Sequence, residues 1–306
     1  MTADGNTLIC EHPVRVTNLD KVLWPEAGIT KAEYIQYIIQ MASYLIPHLK
    51  NRPLTVIRFP DGIHAHSFYQ KNAPKETPKW VNTYPVWSEE SKRTIHYMLA
   101  NDTSTLIWLA NHACIELHPW FSQIQAPNSP TNIAFDLDPS VPGFEKVREV
   151  ALRLKEVLDD LGLPSYPKTS GASGIQIFIP LALGFSYEDT RMITSFIGRF
   201  MAEKYPKIIT VERMVKDRGD KVYIDYLQHA PNKTLIAPYS ARAVAKACVS
   251  APLTWEELQK GVVPEDFTIV NMVSRVNTLG DLFAPLTRPG VDIGELLQLI
   301  RQHSSS

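Results

Sequence analysis

Ile133-Ala134-Phe135-Asp136-Leu137-Asp138-Pro139 carries an apolar run up to two carboxylates one residue apart, followed by a proline. Side chains of a strand alternate between faces, so Asp136 and Asp138 share one face while Phe135 and Leu137 turn into the packing. Pro139 lacks the N–H that a further ladder bond needs, and it ends the strand. Two carboxylates side by side repel each other unless a cation sits between them, and hard oxygen ligands suit Mg²⁺ or Mn²⁺. Taken alone, the pair is equally a solvated strand end. The rest of the chain decides.

Downstream, 143–161 has the period of an amphipathic helix (Phe144, Val147, Val150, Leu154, Leu158) stopped by Gly162 and Pro164. A short strand, the small-residue turn 169–174 and a strand over 175–181 follow, and Ser186-x-x-Asp189 opens a helix to Tyr205. A strand over 221–226 carries a third acid, Asp225. Upstream, 14–25 reads as one extended segment ended by Pro25, and Thr30-x-x-Glu33 is a capping box opening a helix. Strands are expected over 53–59, 94–99 and 114–118, with a helix capped by Asn101 or Asp102 running through Asn111. Beyond Pro238 the chain becomes more helical, with short helices over 255–258 and 293–301. Strict βαβ alternation is absent, which points to an α+β fold with mixed or antiparallel sheets flanked by helices.

The 306 residues are 44% hydrophobic and 21% charged, ordinary for a globular protein with room for one large domain or two small ones. No apolar run is long enough to span a bilayer, and residues 1–10 have neither the basic head nor the apolar core of a signal peptide. Cys10, Cys114 and Cys248 show no zinc or disulfide spacing, so the expected compartment is a reducing cytoplasm. A net charge of −1 argues against a sheath of nonspecific nucleic-acid contacts but leaves room for a local basic groove.

Three strand-end aspartates, Asp136, Asp138 and Asp225, would form a cup for one or two divalent cations; Asp225 taken alone reads first as a structural acid paired with Lys221. The turn Thr169-Ser170-Gly171-Ala172-Ser173-Gly174 can offer backbone N–H groups and the Ser170 hydroxyl to an anion, or be a plain hairpin. It lacks the Gly-Lys-Ser/Thr ending of a P-loop. Arg213, Lys216, Arg218, Lys221, Lys233 and Arg242 bracket Asp225 with positive charge suited to a triphosphate, or to a solvated loop. Lys31 sits in the first turn of a helix, where the dipole prefers anions; an anion held jointly by that helix start, Lys21 and Lys31 would remove the conflict, the alternative being a surface accident. Phe59, Phe68 and Tyr69 beside Arg58 and Lys71 suit base stacking over a backbone groove, or the core. His112 and His118 have no partner at metal-ligand spacing and read as structural or supporting residues.

Five segments in order resemble one family, the polymerase domain of bacterial non-homologous end-joining DNA ligase D, within the archaeo-eukaryotic primase superfamily. They are Thr17–Pro25 (TNLDKVLWP), Phe135–Pro139, Thr169–Gly171, Lys221–Tyr226 (KVYIDY) and Ile236–Arg242 (IAPYSAR). The resemblance implies a primase-like fold and a single catalytic domain over 1–306, with a core of about 14–285 and a helical tail over 286–306. It also implies a two-metal site of Asp136, Asp138 and Asp225 holding Mn²⁺ or Mg²⁺. Ser170, Gln176, Arg218, Gln228, Lys233 and Arg242 would surround the phosphates of an incoming NTP or dNTP. Asn18, Lys21 and Lys31 would hold the 5′-phosphate of a DNA end, and Arg58, Phe68 and Tyr69 would meet template DNA. Residues 213–221 match the family's mobile loop. Ku and a DNA ligase module are the implied partners, and a nucleoid-associated cytoplasmic location goes with them.

The chain departs from the family at two places. Gln176 stands where the family usually has histidine, so that side chain can donate a hydrogen bond but carries no charge and shuttles no proton. Ala172-Ser173 also lacks the family's lysine. No ligase lysine motif or phosphoesterase module accompanies the domain, so a stand-alone polymerase or an excised domain is expected. The expected activity is gap filling at DNA ends by template-directed nucleotidyl transfer. Its rivals are a catalytically weak end-bridging module and a de novo primase.

Overall fold

The computed structural model describes residues 4–304, so the ends of the chain, including the last two residues of the expected helical tail, lie outside the described residues. The chain forms two compact units. The first comprises Met1–Trp120, Ile236–Ser250 and Glu265–Gly280; the second comprises Phe121–Leu235, Ala251–Pro264 and Asp281–Ser306.

The first unit opens with an antiparallel ribbon of β1 (Asp4–Ile9) and β2 (Pro13–Thr17), then a second of β3 (Val22–Trp24) and β4 (Ile29–Thr30). The extended segment expected over 14–25 is therefore two strands. Asn18 breaks it with φ 51°, a left-handed conformation that asparagine tolerates better than most residues. Helix α1 (Lys31–Leu49) begins at the expected capping box: Glu33 N–H donates to Thr30 Oγ1, and Thr30 N–H donates to Glu33 Oε2 at 2.7 Å. A five-stranded sheet follows from β5 (Leu54–Arg58), β6 (Phe68–Gln70), β7 (Thr83–Ser88), β8 (Arg93–Met98) and, after α2 (Thr103–Asn111), β9 (Cys114–Pro119). Of the two offered caps for α2, Asp102 is the one used, accepting from Thr105 N–H at 2.7 Å. Strand β7 escapes sequence reading because Pro85 argues against a central strand, and β7 lies at the edge of its sheet, where a missing N–H costs nothing.

The second unit is built on β10 (Asn132–Pro139), the strand that contains the Asp-x-Asp pair. After α3 (Phe144–Asp160) come β11 (Tyr166–Thr169), β12 (Ile175–Pro180), α4 (Tyr187–Lys204), β13 (Ile209–Thr210) and β14 (Val222–Asp225). The sheet order is β11-β12-β10-β14-β13, antiparallel except for the parallel β13–β14 pair. Helix α5 (Trp255–Lys260) belongs to this unit, α6 (Met272–Leu279) to the first, and α7 (Gly294–Ser304) closes the described chain. Helix α3 packs its buried stripe of Val147, Val150, Leu154 and Leu158 on β10, β12 and β14. Phe135 and Leu137 are fully buried, as the alternation requires, and each contributes about 1.5–3 kcal/mol over an exposed side chain. On the opposite parity, Ala134 and Phe178 join Phe121, Tyr187, Leu235 and Phe283 in an aromatic core. The fold is α+β with mixed sheets flanked by helices. Among the described residues, no helix is long and apolar enough to cross a membrane.

Candidate active site

Strand pairing in the second unit lines up four polar side chains in one transverse row. Lys168 on β11 faces Gln176 on β12, Gln176 faces Asp136 on β10, and Asp136 faces Asp225 on β14. Asp138, two residues along β10, pairs with Tyr223. All three expected aspartates thus lie on the same sheet face. Asp225 Oδ1 accepts from Tyr223 Oη at 3.1 Å and from Gln228 N–H at 3.0 Å, while Asp136 Oδ1 accepts from Gln176 Nε2 at 3.0 Å.

Burial raises the Asp136 carboxyl first and the Asp138 charge raises it further, to about 7, although the Gln176 hydrogen bond works against both. Among the described residues, no three His, Cys, Asp or Glu side chains close into a metal cage; Asp225 Oδ1 is engaged by Tyr223 and Gln228. The donor set still fits Mg²⁺ or Mn²⁺. Such ions commonly keep several waters and need only one or two carboxylates plus substrate phosphates.

Ser170 and Gly174 close the turn against this face. Ser170 Oγ accepts from Gly174 N–H at 3.0 Å and Ala172 N–H at 3.3 Å, and Thr169 Oγ1 accepts from Gly171 N–H. Most of the N–H groups expected to cradle an anion are thus satisfied within the turn. A Cβ at Gly174 would stand 2.7 Å from Leu137 O and 3.2 Å from Asp138 Oδ1. Gly174→Ala is expected to push the turn off β10 and lower stability by about 1–3 kcal/mol, measurable by thermal melting.

The surrounding cations are unequal. The Arg218 guanidinium stacks 3.8 Å from the Tyr223 ring centroid and donates to the carbonyls of Glu212 and Arg213. It is thereby joined through Tyr223 to Asp225. Gln228 reaches the site through its backbone; its side chain donates to Thr234 O at 2.7 Å. Arg213, Lys216 and Lys233 are exposed. Arg242 belongs to the first unit, where its Nη1 donates to Glu116 Oε2 at 2.9 Å. Glu116 also pairs with His118 Nε2 at 3.1 Å and accepts from Ala243 N–H. Sequence reading missed Glu116, although Glu116-Leu117-His118 repeats the Asp-x-Asp parity and carried the signal.

The first unit holds a pocket of about 220 Å³ lined by Asn18, Lys21, Lys31, Arg58, Asn111 and His112, among others. Lys31 Nζ donates to Thr17 O at 2.6 Å, and Thr17 N–H donates to Asn111 Oδ1 at 3.0 Å, so the loop carrying Asn18 is tied at both backbone groups. Lys21 donates to Pro60 O and Asp61. Burial, followed by the charge of Lys21, lowers the Lys31 ammonium to about 8. Arg58 donates to His112 O and lies 5.3 Å from the Phe68 ring centroid. Phe68 and Tyr69 are exposed, Tyr69 by 73%, whereas Phe59 is core and is no stacking platform.

The family model for the LigD primase-polymerase domain matches residues 30–283. The bifunctional non-homologous end joining protein LigD of Bacillus subtilis is 42% identical over 88% of the chain. The multifunctional protein LigD of Mycolicibacterium smegmatis is 33% identical over 89%. The chain spans 43% and 36% of the lengths of these two curated relatives. The polymerase domain of Mycobacterium tuberculosis ligase D, solved in complex with DNA, superposes with a TM-score of 0.84 at 28% identity, covering 91% of this chain and 99% of that one.

Proposed function

The chain belongs to the LigD primase-polymerase family, and from that premise we propose that it is a template-directed nucleotidyltransferase filling short gaps at broken DNA ends in non-homologous end joining. The observation that carries this reading is the register that sets Asp225 opposite Asp136 and beside Asp138 on one sheet face. In the reaction, a primer 3′-hydroxyl oxygen bonds to the α-phosphorus of an NTP or dNTP. The bond to the β-phosphate breaks, pyrophosphate leaves, and the hydroxyl proton is released. Asp136, Asp138 and Asp225 would hold two divalent cations, which when bound neutralise charge on the attacking and leaving oxygens. Gln176 orients Asp136, Tyr223 and the Gln228 backbone orient Asp225, and Ser170 offers a hydroxyl to the triphosphate. Arg218 and Lys233 supply charge for the phosphates.

The basic pocket of the first unit suits a terminal 5′-phosphate, with Asn18, Lys21 and Lys31 as its ligands and Arg58, Phe68 and Tyr69 for adjoining DNA. A relative solved in complex with DNA and the end-joining names of others support DNA ends as the substrate; Ku and a ligase module as partners, and a nucleoid-associated place in the cytoplasm, follow from the family resemblance alone. Preference for a 5′-phosphorylated gap is expected to vanish in Lys21→Ala. It should also weaken as pH rises through about 8, where Lys31 loses its proton in the unliganded chain. One proton linked to binding allows up to about a tenfold loss per pH unit there. A preference unchanged between pH 7 and 9.5 would remove Lys31 from the phosphate site.

The deciding experiment is primer extension on a gapped duplex with and without the downstream 5′-phosphate, comparing ribo- with deoxyribonucleotides and Mn²⁺ with Mg²⁺. Phosphate-stimulated incorporation is expected. Binding without incorporation would leave an end-bridging module, and synthesis on unprimed single strands would mark a primase.

A further inference from the structure

Lys168 is a lysine on the second strand from the metal face, and it is 0% exposed. Burying an ammonium is expensive unless partners replace its water. Its Nζ donates to Gln176 Oε1 and lies 5.6 Å from the Phe178 ring centroid. Its strand is fixed on both edges: β12 on one side, and on the other the backbone of Ala251 and Leu253, through Thr169 N–H to Ala251 O and Leu253 N–H to Pro167 O, both at 2.9 Å. A methionine would fill much the same space without the charge, so packing alone does not account for a lysine here.

The chemistry of the row does. An ammonium can only donate and a carboxylate can only accept, whereas an amide can face either way. With Lys168 on one side and Asp136 on the other, the Gln176 amide has a single satisfying orientation: Oε1 toward the ammonium and Nε2 toward Asp136 Oδ1, at 3.0 Å. Reversing the amide would set an acceptor against the carboxylate and a donor against the ammonium.

We propose that Lys168 is a positioning residue of the metal site, acting through Gln176: it locks the amide so that Asp136 meets a donor and stays oriented for a divalent cation. This rests on the metal reading of Asp136 and Asp138 given above. Residues that hydrogen-bond a metal ligand typically change metal affinity about 10–100-fold when removed.

The test is titration of the full chain with Mn²⁺ alone, following free Mn²⁺ by electron paramagnetic resonance, with thermal melts as the fold control. Lys168→Met is expected to raise the Mn²⁺ dissociation constant about tenfold. Gln176→Leu should do the same, and adding Lys168→Met to Gln176→Leu should change nothing further. Wild-type affinity in folded Lys168→Met, or effects that multiply in the double variant, would overturn the proposal. If Lys168→Met does not fold, the wild-type chain decides by nuclear magnetic resonance. The Lys168 Nζ and Gln176 Nε2 protons are expected to exchange slowly and to shift on adding Mg²⁺; fast exchange or unmoved signals would overturn it. Asp136→Ala separates the two readings. If it binds Mn²⁺ as the wild type does, the metal site itself is wrong, whatever Lys168 does.

Discussion

Asp136→Asn is expected to reduce nucleotide incorporation on the order of a thousandfold, the upper end of what losing one stabiliser of transition-state charge costs. Asparagine keeps an oxygen where Oδ1 accepts from Gln176 Nε2, so the strand and the row it belongs to should hold. What disappears is the negative charge. Asp136 sits beside Asp138 and opposite Asp225, in a place where burial and its neighbour already hold its carboxyl up to about 7. The cations proposed for this site would offset that cost. Binding to a 5′-phosphorylated gapped duplex should stay within about twofold, because the residues proposed for that phosphate belong to the other unit and change by no contact. Single-turnover extension and fluorescence anisotropy measure the two halves. Extension at the wild-type rate would end the metal assignment.

Glu116→Ala is expected to cost about 3 kcal/mol of stability, the low end for breaking a buried ion pair, since Arg242 stays partly exposed. Glu116 is buried and ties three groups, Arg242 Nη1, His118 Nε2 and Ala243 N–H, so its loss leaves a cation and a backbone donor unmatched. Burial pushes its carboxyl up, but the His118 hydrogen bond and the Arg242 charge outweigh this and hold it below the ordinary value. The sign of the pH dependence follows. A carboxyl lowered on folding stabilises fully above the unfolded value of about 4.3, and that stability is lost as pH falls through the folded value. The gap between wild type and variant in urea should therefore be present at pH 7 and close in acid, as pH falls through the lowered Glu116 value. A midpoint shift worth less than about 0.5 kcal/mol at pH 7 would mean that water replaces the carboxylate.

Glu116 and Arg242 also show where sequence reading stopped. They are joined across 126 positions, and nothing local in either segment names the other. Arg242 reads from sequence as one of a ring of cations around Asp225, yet it folds into the first unit and is met there by a carboxylate that sequence reading passed over. Likewise β6 and β7 are too short or too interrupted by proline to show a period, and they exist because β5 and β8 offer them edges. Helix starts were legible. The Thr30, Asp102 and Ser186 caps all bond within three residues of themselves, so no tertiary partner is needed.

The Asp-x-Asp strand divides the same way. That Asp136 and Asp138 share a face, with Phe135 and Leu137 behind them, follows from the two-residue period of any strand and was written in the chain alone. Which residues stand beside them was not. Antiparallel register set Asp225 opposite Asp136 and drew Gln176 and Lys168 into the same row, from strands up to 89 positions apart. Parity is a property of one backbone; register is decided by several strands at once, as each slips until its apolar face is buried and its ladder is complete. Local sequence therefore named the carboxylates, and the sheet chose their neighbours.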